Sequence, residues 1–229
     1  DGGWKVNGSK IWTTNAQQAS YMIAILRTDN EDKHGGLSQF IIDMKSPGLT
    51  VRPIVNLAGN AHFNECVFED VFVPDNRIIG APGSGWKQVT SELAYERSGP
   101  ERYLSCIQLL IELLRIAETR PDVVPTEEIG RLTAHVMTLR RMSLFVAGRL
   151  QAGEDPALEA SVVKDVGAIF EQAMPEIAHR LVEEEPTLAD GTDFQQVLAF
   201  LTQEAPSFSL RGGTREILRG IIARGLGLR

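Results

Sequence analysis

Leu93-Ala94-Tyr95-Glu96-Arg97-Ser98-Gly99-Pro100-Glu101-Arg102 marks the place where the chain changes its periodicity. Before it, short β-branched and aromatic runs alternate with turn residues. After it, apolar residues recur at helical spacing. The two patterns predict an α+β chain, with an antiparallel β-sheet or small barrel over residues 1–83 and an up-down four-helix-bundle domain over 84–229.

In the first half, Trp4-Lys5-Val6 and Lys10-Ile11-Trp12 flank Asn7-Gly8. Both turn residues adopt positive φ readily, so the spacing predicts a tight hairpin there. Strand-like runs follow at Tyr21–Leu26, Gln39–Met44, Leu49–Val55 and Cys66–Val73, separated by His34-Gly35-Gly36 and Ser46-Pro47-Gly48. No helix-period segment lies between them, so antiparallel pairing is expected rather than βαβ crossovers. Gly80-Ala81-Pro82-Gly83-Ser84-Gly85 has the glycine density of a phosphate loop but lacks the Lys-Ser/Thr that would complete one, and reads as a flexible connector.

In the second half, three sets fall on single helical faces: Leu104, Ile107, Ile111 and Leu114; Ile129, Leu132, Val136, Leu139 and Val146; and Val163, Val166, Phe170, Met174 and Ile177. Pro175 should kink the third helix or end it early. Ile217, Leu218, Ile221 and Ile222 predict a last short helix after Gly212-Gly213-Thr214, for a bundle of four or five helices.

Composition narrows the function classes. A formal net charge of −7 argues against nucleic acid or an anionic membrane as the main partner. Cys66 and Cys106 have no metal-ligand or redox spacing and are expected to be buried thiols of a reducing compartment. His34, His62, His135 and His179 are scattered, so no metal site is expected. No apolar run would span a bilayer and no signal peptide precedes the strands, which predicts a soluble, cytoplasmic protein. The strand pattern starts almost at Asp1, as in a chain entered part-way.

Four segments in order carry a resemblance to a known family: Gly8-Ser9-Lys10-Ile11-Trp12-Thr13-Thr14-Asn15-Ala16; Phe68-Glu69-Asp70-Val71-Phe72-Val73-Pro74; Glu96-Arg97; and Gly212-Gly213-Thr214-Arg215-Glu216-Ile217 with Ile221-Ile222-Ala223-Arg224. Each is weak alone. As an ordered set, the chain resembles the middle β-domain and C-terminal helical domain of the acyl-CoA dehydrogenases, without the N-terminal helical domain of that family.

The resemblance implies FAD, an acyl-CoA thioester oxidised to its trans-2-enoyl product, an electron-transfer flavoprotein or similar acceptor, and a homo- or hetero-oligomer. Most such enzymes place the glutamate base immediately before the Gly-Thr of the last motif, where this chain has Gly212. Long-chain and isovaleryl members instead carry it in a Glu-Arg pair on the first helix of the C-terminal domain, which Glu96-Arg97 matches. The loss and the gain are complementary, so Glu96 is the expected base. Without the resemblance, Glu96 reads as a solvated helix carboxylate paired with Arg97 or Arg102.

By the same resemblance, Trp12, Thr13 and Thr14 match the flavin-contacting segment. Thr214, Arg215 and Glu216 match cofactor-contacting positions, and Arg97 and Gly213 match substrate-contacting ones. Read without the family, Trp12 is a strand residue packing in a sheet, and Thr214 with Glu216 is a helix N-terminus. The family's Arg-x-x-Phe-Gly and Gly-Gly-x-Gly segments have no counterpart between Arg120 and Arg141 or around Glu183-Glu184-Glu185. That departure keeps two alternatives open: a non-catalytic partner subunit of a mixed oligomer, or a flavin monooxygenase on the same fold.

Overall fold

In the computed structural model, residues 2–29 and 34–228 are described. The chain divides into two compact units, Asp1–Ser91 and Glu92–Arg229.

Among the described residues the first unit contains six strands: β1 (Gly3–Thr14), β2 (Tyr21–Arg27), β3 (Leu37–Asp43), β4 (Leu49–Ile54), β5 (Phe63–Pro74) and β6 (Ile78–Ile79). They form two antiparallel sheets, ordered β1-β5-β4 and β2-β3-β6. The sheets share one core in which Val6, Phe68 and Val71 meet Met22, Phe40 and Ile42. Trp4 packs edge-on against Phe40 at 5.6 Å between ring centroids, tying the two sheets together.

The hairpin expected at Asn7-Gly8 does not form. β1 runs unbroken through both residues and pairs along its whole length with β5. The reason is a bulge opposite them. β5 advances from Phe68 to Val71 while β1 advances only from Gly8 to Val6, and Asp70 takes up the extra residue at φ +52°. The Asn7 amide donates to the Asp70 carboxylate at 3.0 Å, and its oxygen accepts from the Asp70 N–H at 2.8 Å. An asparagine-glycine pair that could have turned the chain instead staples a bulge. The bulge also flips the inward face of β5, from Asn64, Cys66 and Phe68 before it to Val71 and Val73 after it.

A second bulge lies in β1 itself. Between Lys10 and Thr13 the strand carries one residue more than β5, with Trp12 at φ +61°. The expected connector at residues 80–85 is tied down rather than flexible. The Gly83 N–H donates to the Ser38 hydroxyl at 2.9 Å, and a Cβ on Gly85 would stand 2.8 Å from the Leu37 carbonyl oxygen.

Helix α1 (Gly85–Ser98) runs from the first unit into the second, which adds α2 (Ile107–Thr119), α3 (Thr126–Gln151), α4 (Ala157–Val182), α5 (Asp193–Glu204) and α6 (Arg215–Gly225). The predicted faces of α3 and α4 point inward, with Leu132, Leu139, Val146, Val163, Phe170 and Met174 all buried. The α2 face is displaced. Leu109, Leu110 and Leu113 are buried, Leu114 is exposed and Leu104 precedes the helix; Gln108, Arg115 and Glu118 take the outward side, while Glu112 turns inward among the leucines. α4 continues through Pro175 to Val182. Its packing on α2, α3, α5 and α6 outweighs the one backbone hydrogen bond that a proline removes. α5, which the periodicity did not single out, opens on a reciprocal capping box between Thr192 and Gln195.

Cys66 and Cys106 are buried free thiols, as expected. Among the described residues no helix is long and apolar enough to cross a membrane, and no cluster of histidine, cysteine or carboxylate side chains could hold a metal ion.

Candidate active site

Pro100 stops α1, since the residue before a proline is driven out of the helical region. Glu96 and Arg97 therefore stand in the last turn of α1, followed by a short 3-10 turn at Pro100–Arg102. Arg97 is 7% exposed and Arg102 8% exposed, so two guanidinium groups are committed to the interior and need acceptors. Arg97 Nε donates to the Gly212 carbonyl at 3.0 Å. Arg102 Nη2 donates to Glu96 Oε1 at 2.6 Å, and Arg102 Nε donates to the Glu96 carbonyl at 3.0 Å. Burial lowers the Arg97 pKa from its ordinary value, and the neighbouring Glu96 opposes that shift.

The loop into α6 comes to the same place. Gly212 and Gly213 have φ +64° and +100°, backbone that side chains rarely tolerate. A Cβ on Gly212 would lie 3.5 Å from Glu96 Oε1 and 3.7 Å from Arg102 Cζ. A Cβ on Gly213 would lie 3.6 Å from Arg97 Nη2. The structure thus brings together Glu96, Arg97, Gly212 and Gly213, which the sequence placed on two motifs more than a hundred residues apart.

Thr214, Arg215 and Glu216 start α6 but turn elsewhere. Arg215 Nε donates to Asp165 at 2.9 Å. Hydrogen bonds from its own backbone N–H and from the Thr214 hydroxyl hold the Glu216 carboxyl below its ordinary pKa. Thr214 sits at the N-cap, with its side chain making no capping bond.

Behind the loop lies a buried ionic group that the sequence reading missed. Glu171 accepts from the Ser105 N–H at 2.8 Å and from Arg211 Nη2 at 3.0 Å. Lys164 Nζ donates to the Phe208 carbonyl at 2.9 Å. Burial, together with the positive charges of Arg211 and Arg102, lowers the Lys164 pKa to about 8. The available signal was charge at core positions of α4, where Lys164 follows Val163 and Glu171 follows Phe170.

In the first unit, the bulge turns Ile11 and Trp12 outward, 58% and 60% exposed. Trp12 makes an edge contact with Phe63 at 6.0 Å and otherwise presents its ring to solvent. Thr14 is exposed. Thr13 turns inward to the buried thiol of Cys66. The buried Asn64 amide donates to the Thr13 carbonyl at 3.1 Å and pins the bulge from beneath.

Comparison with known proteins places the chain in a family. The model of the acyl-CoA dehydrogenase middle domain matches residues 1–71, and that of the acyl-CoA dehydrogenase C-terminal domain matches residues 83–227. The chain belongs to the acyl-CoA dehydrogenase family. It is 32% identical over 231 residues to acyl-CoA dehydrogenase FadE34 of Mycobacterium tuberculosis, covering 99% of this chain and 31% of that protein. It is 31% identical over 239 residues to acyl-CoA dehydrogenase IpdE1 of the same organism, covering 98% of this chain and 60% of that one. Among solved structures, the Tcur3481-Tcur3483 steroid ACAD G363A variant superposes with a TM-score of 0.88 at 24% identity, over 100% of this chain and 62% of that one. The chain thus spans less than two thirds of the length of these acyl-CoA dehydrogenase relatives. The fold matches the expected α+β plan of antiparallel strands followed by packed helices.

Proposed function

We propose that this chain supplies the middle and C-terminal parts of an FAD-dependent acyl-CoA dehydrogenase in which Glu96 removes the α-proton of the thioester. One observation carries the reading: the carboxylate of Glu96 lies 3.5 Å from where a side chain at Gly212 would begin. A base delivered from α1 therefore reaches the region that a base delivered from the α6 loop would occupy. A glutamate at one position makes the other dispensable.

Residues present here fit FAD in kind. An outward-facing tryptophan held by a bulge suits stacking on an extended aromatic ring, and the exposed Thr14 hydroxyl makes no side-chain hydrogen bond among the described residues. Trp12 and Thr14 would hold the ring system. Bound there, FAD would supply the redox chemistry, as acceptor of the hydride from the β-carbon. What this chain contributes is the base and its setting. Glu96 takes the α-proton on a carboxylate oxygen. Arg97 fixes the Gly212 carbonyl and so the loop beside it, and Gly213 keeps that loop free of a side chain. Partners on this reading are an acyl-CoA substrate and an electron-transfer flavoprotein as acceptor.

The test is the visible spectrum of the flavin-loaded protein under anaerobic acyl-CoA. Bleaching of the flavin band is expected. Glu96→Gln should slow it by about 100- to 10,000-fold while the flavin stays bound, and bleaching by the variant at near the parent rate would refute Glu96 as base. A second reading, a partner subunit within a mixed oligomer, draws on the absent Arg-x-x-Phe-Gly segment and on the two-component name of the structural neighbour Tcur3481-Tcur3483. A stable oligomer of one chain type with a flavin in every subunit would rule it out.

A further inference from the structure

Glu96 carries its carboxylate on a flexible side chain that is 41% exposed. A base that must reach a carbon-bound proton has to be held within about 0.5 Å of its working position. Arg97, the neighbour in the motif, spends its Nε on Gly212. Among the described residues the side chain that hydrogen-bonds Glu96 is Arg102, and it does so twice, at the carboxylate and at the main-chain carbonyl.

Arg102 is itself well anchored. Its side chain is 9% exposed, its N–H closes the 3-10 turn on the Gly99 carbonyl at 3.0 Å, and the next residue, Tyr103, is buried. Glu101 Oε1 stands 3.7 Å from its Nε and adds counter-charge. The positive φ and missing side chain of Gly212 leave room for the pair. One rigid guanidinium fork thus grips the backbone and the carboxylate of the same residue, a geometry that the single ammonium of a lysine cannot reproduce.

We propose that Arg102 is the positioning residue of Glu96, holding its carboxylate against the Gly212 loop for proton removal. The inference rests on Glu96 being the base. It assigns Arg102 no contact with substrate or flavin.

Arg102→Lys and Arg102→Ala test it in two ways. In the 229-residue chain without flavin, labelling of Glu96 by a water-soluble carbodiimide and an amine, followed by mass spectrometry, should accelerate in both variants. In the flavin-loaded enzyme, kcat should fall by on the order of 10- to 100-fold with KM little changed. The kinetic isotope effect with α-deuterated acyl-CoA should rise, because proton removal has become the slow step. Guanidinium ion, but not sodium chloride at equal ionic strength, should restore part of the Arg102→Ala rate.

A kcat within about twofold of the parent, or above it, overturns the positioning role. So does a loss that merely parallels lost flavin or a lowered melting midpoint, with no guanidinium rescue. An active Glu96→Gln protein overturns the base assignment and the inference together. An inactive Glu96→Gln with an undiminished Arg102→Lys overturns the positioning alone.

Discussion

The bulge at Trp12 and the turn at Arg102 bring candidate site residues into place by different physical means. In the strand-rich unit the work is done by backbone: one extra residue in β1, a positive φ at Trp12, and the Asn64 amide beneath. A non-glycine residue in that conformation costs on the order of 1–3 kcal/mol, and the gain is a ring presented to solvent. In the helical unit, charges do the work. Arg97, Arg102, Lys164 and Arg211 are set against Glu96, Glu171 and the loop carbonyls of Phe208 and Gly212. The first device is local and separable. The second is collective, because each buried ion relies on its partners for desolvation.

The sharpest way to break this contrast is Glu171→Ala. It leaves the Arg211 guanidinium without its carboxylate, and the chain should lose about 3–5 kcal/mol of unfolding free energy, read by chemical denaturation. A loss below about 1 kcal/mol would show that the ionic group is not collective.

Next is Lys164→Met, compared with the parent as a function of pH. The folded-state pKa is lowered to about 8 from an ordinary 10.5. Between those values the unfolded chain holds the proton and the folded chain does not, so this lysine's contribution becomes more favourable as pH rises. Parent stability relative to the methionine variant should therefore climb between about pH 8 and 10.5 and be flat below that window. Burial pushes the Cys106 thiol up to about 12, which acts in the opposite direction. It is common to both proteins and cancels in the difference. A flat difference across the window would show that neither burial nor the cationic neighbours lower the Lys164 pKa.

The smallest effect is expected at Trp12→Ala. An exposed ring with one edge contact should change stability by no more than about 1 kcal/mol, in either direction, by denaturation of the flavin-free chain. A loss several times larger would make Trp12 a packing residue of its sheet and remove its claim to present a surface.

Much of this was legible beforehand, for reasons that differ from residue to residue. Leu132, Leu139 and Val146 declared α3 because polar neighbours fixed the phase of their repeat. In α2 the polar neighbours mislead, because Glu112 is buried among the leucines, and the inward face depended on what packed against it. Asn7-Gly8 carries the local preference for a positive-φ turn, yet only the pairing of β1 with β5 and the capture of Asp70 decided that it would line a bulge. Glu96 and Gly212 were legible as complementary motifs, whereas Glu171 and Lys164 looked like ordinary charged positions of a helix.

The sequence by itself determined the alternation of strand and helix periods, the family, and the presence of a glutamate at 96 and a glycine at 212. These are properties of local spacing and residue type. Only the tertiary structure decided which arginine holds Glu96, that Thr13 faces inward while Trp12 faces out, and that Lys164 and Glu171 are buried beside the α6 loop. Those outcomes turn on the desolvation of charges and on strand register. Both are set by distant segments packing together, and neither is encoded in any short window of the chain.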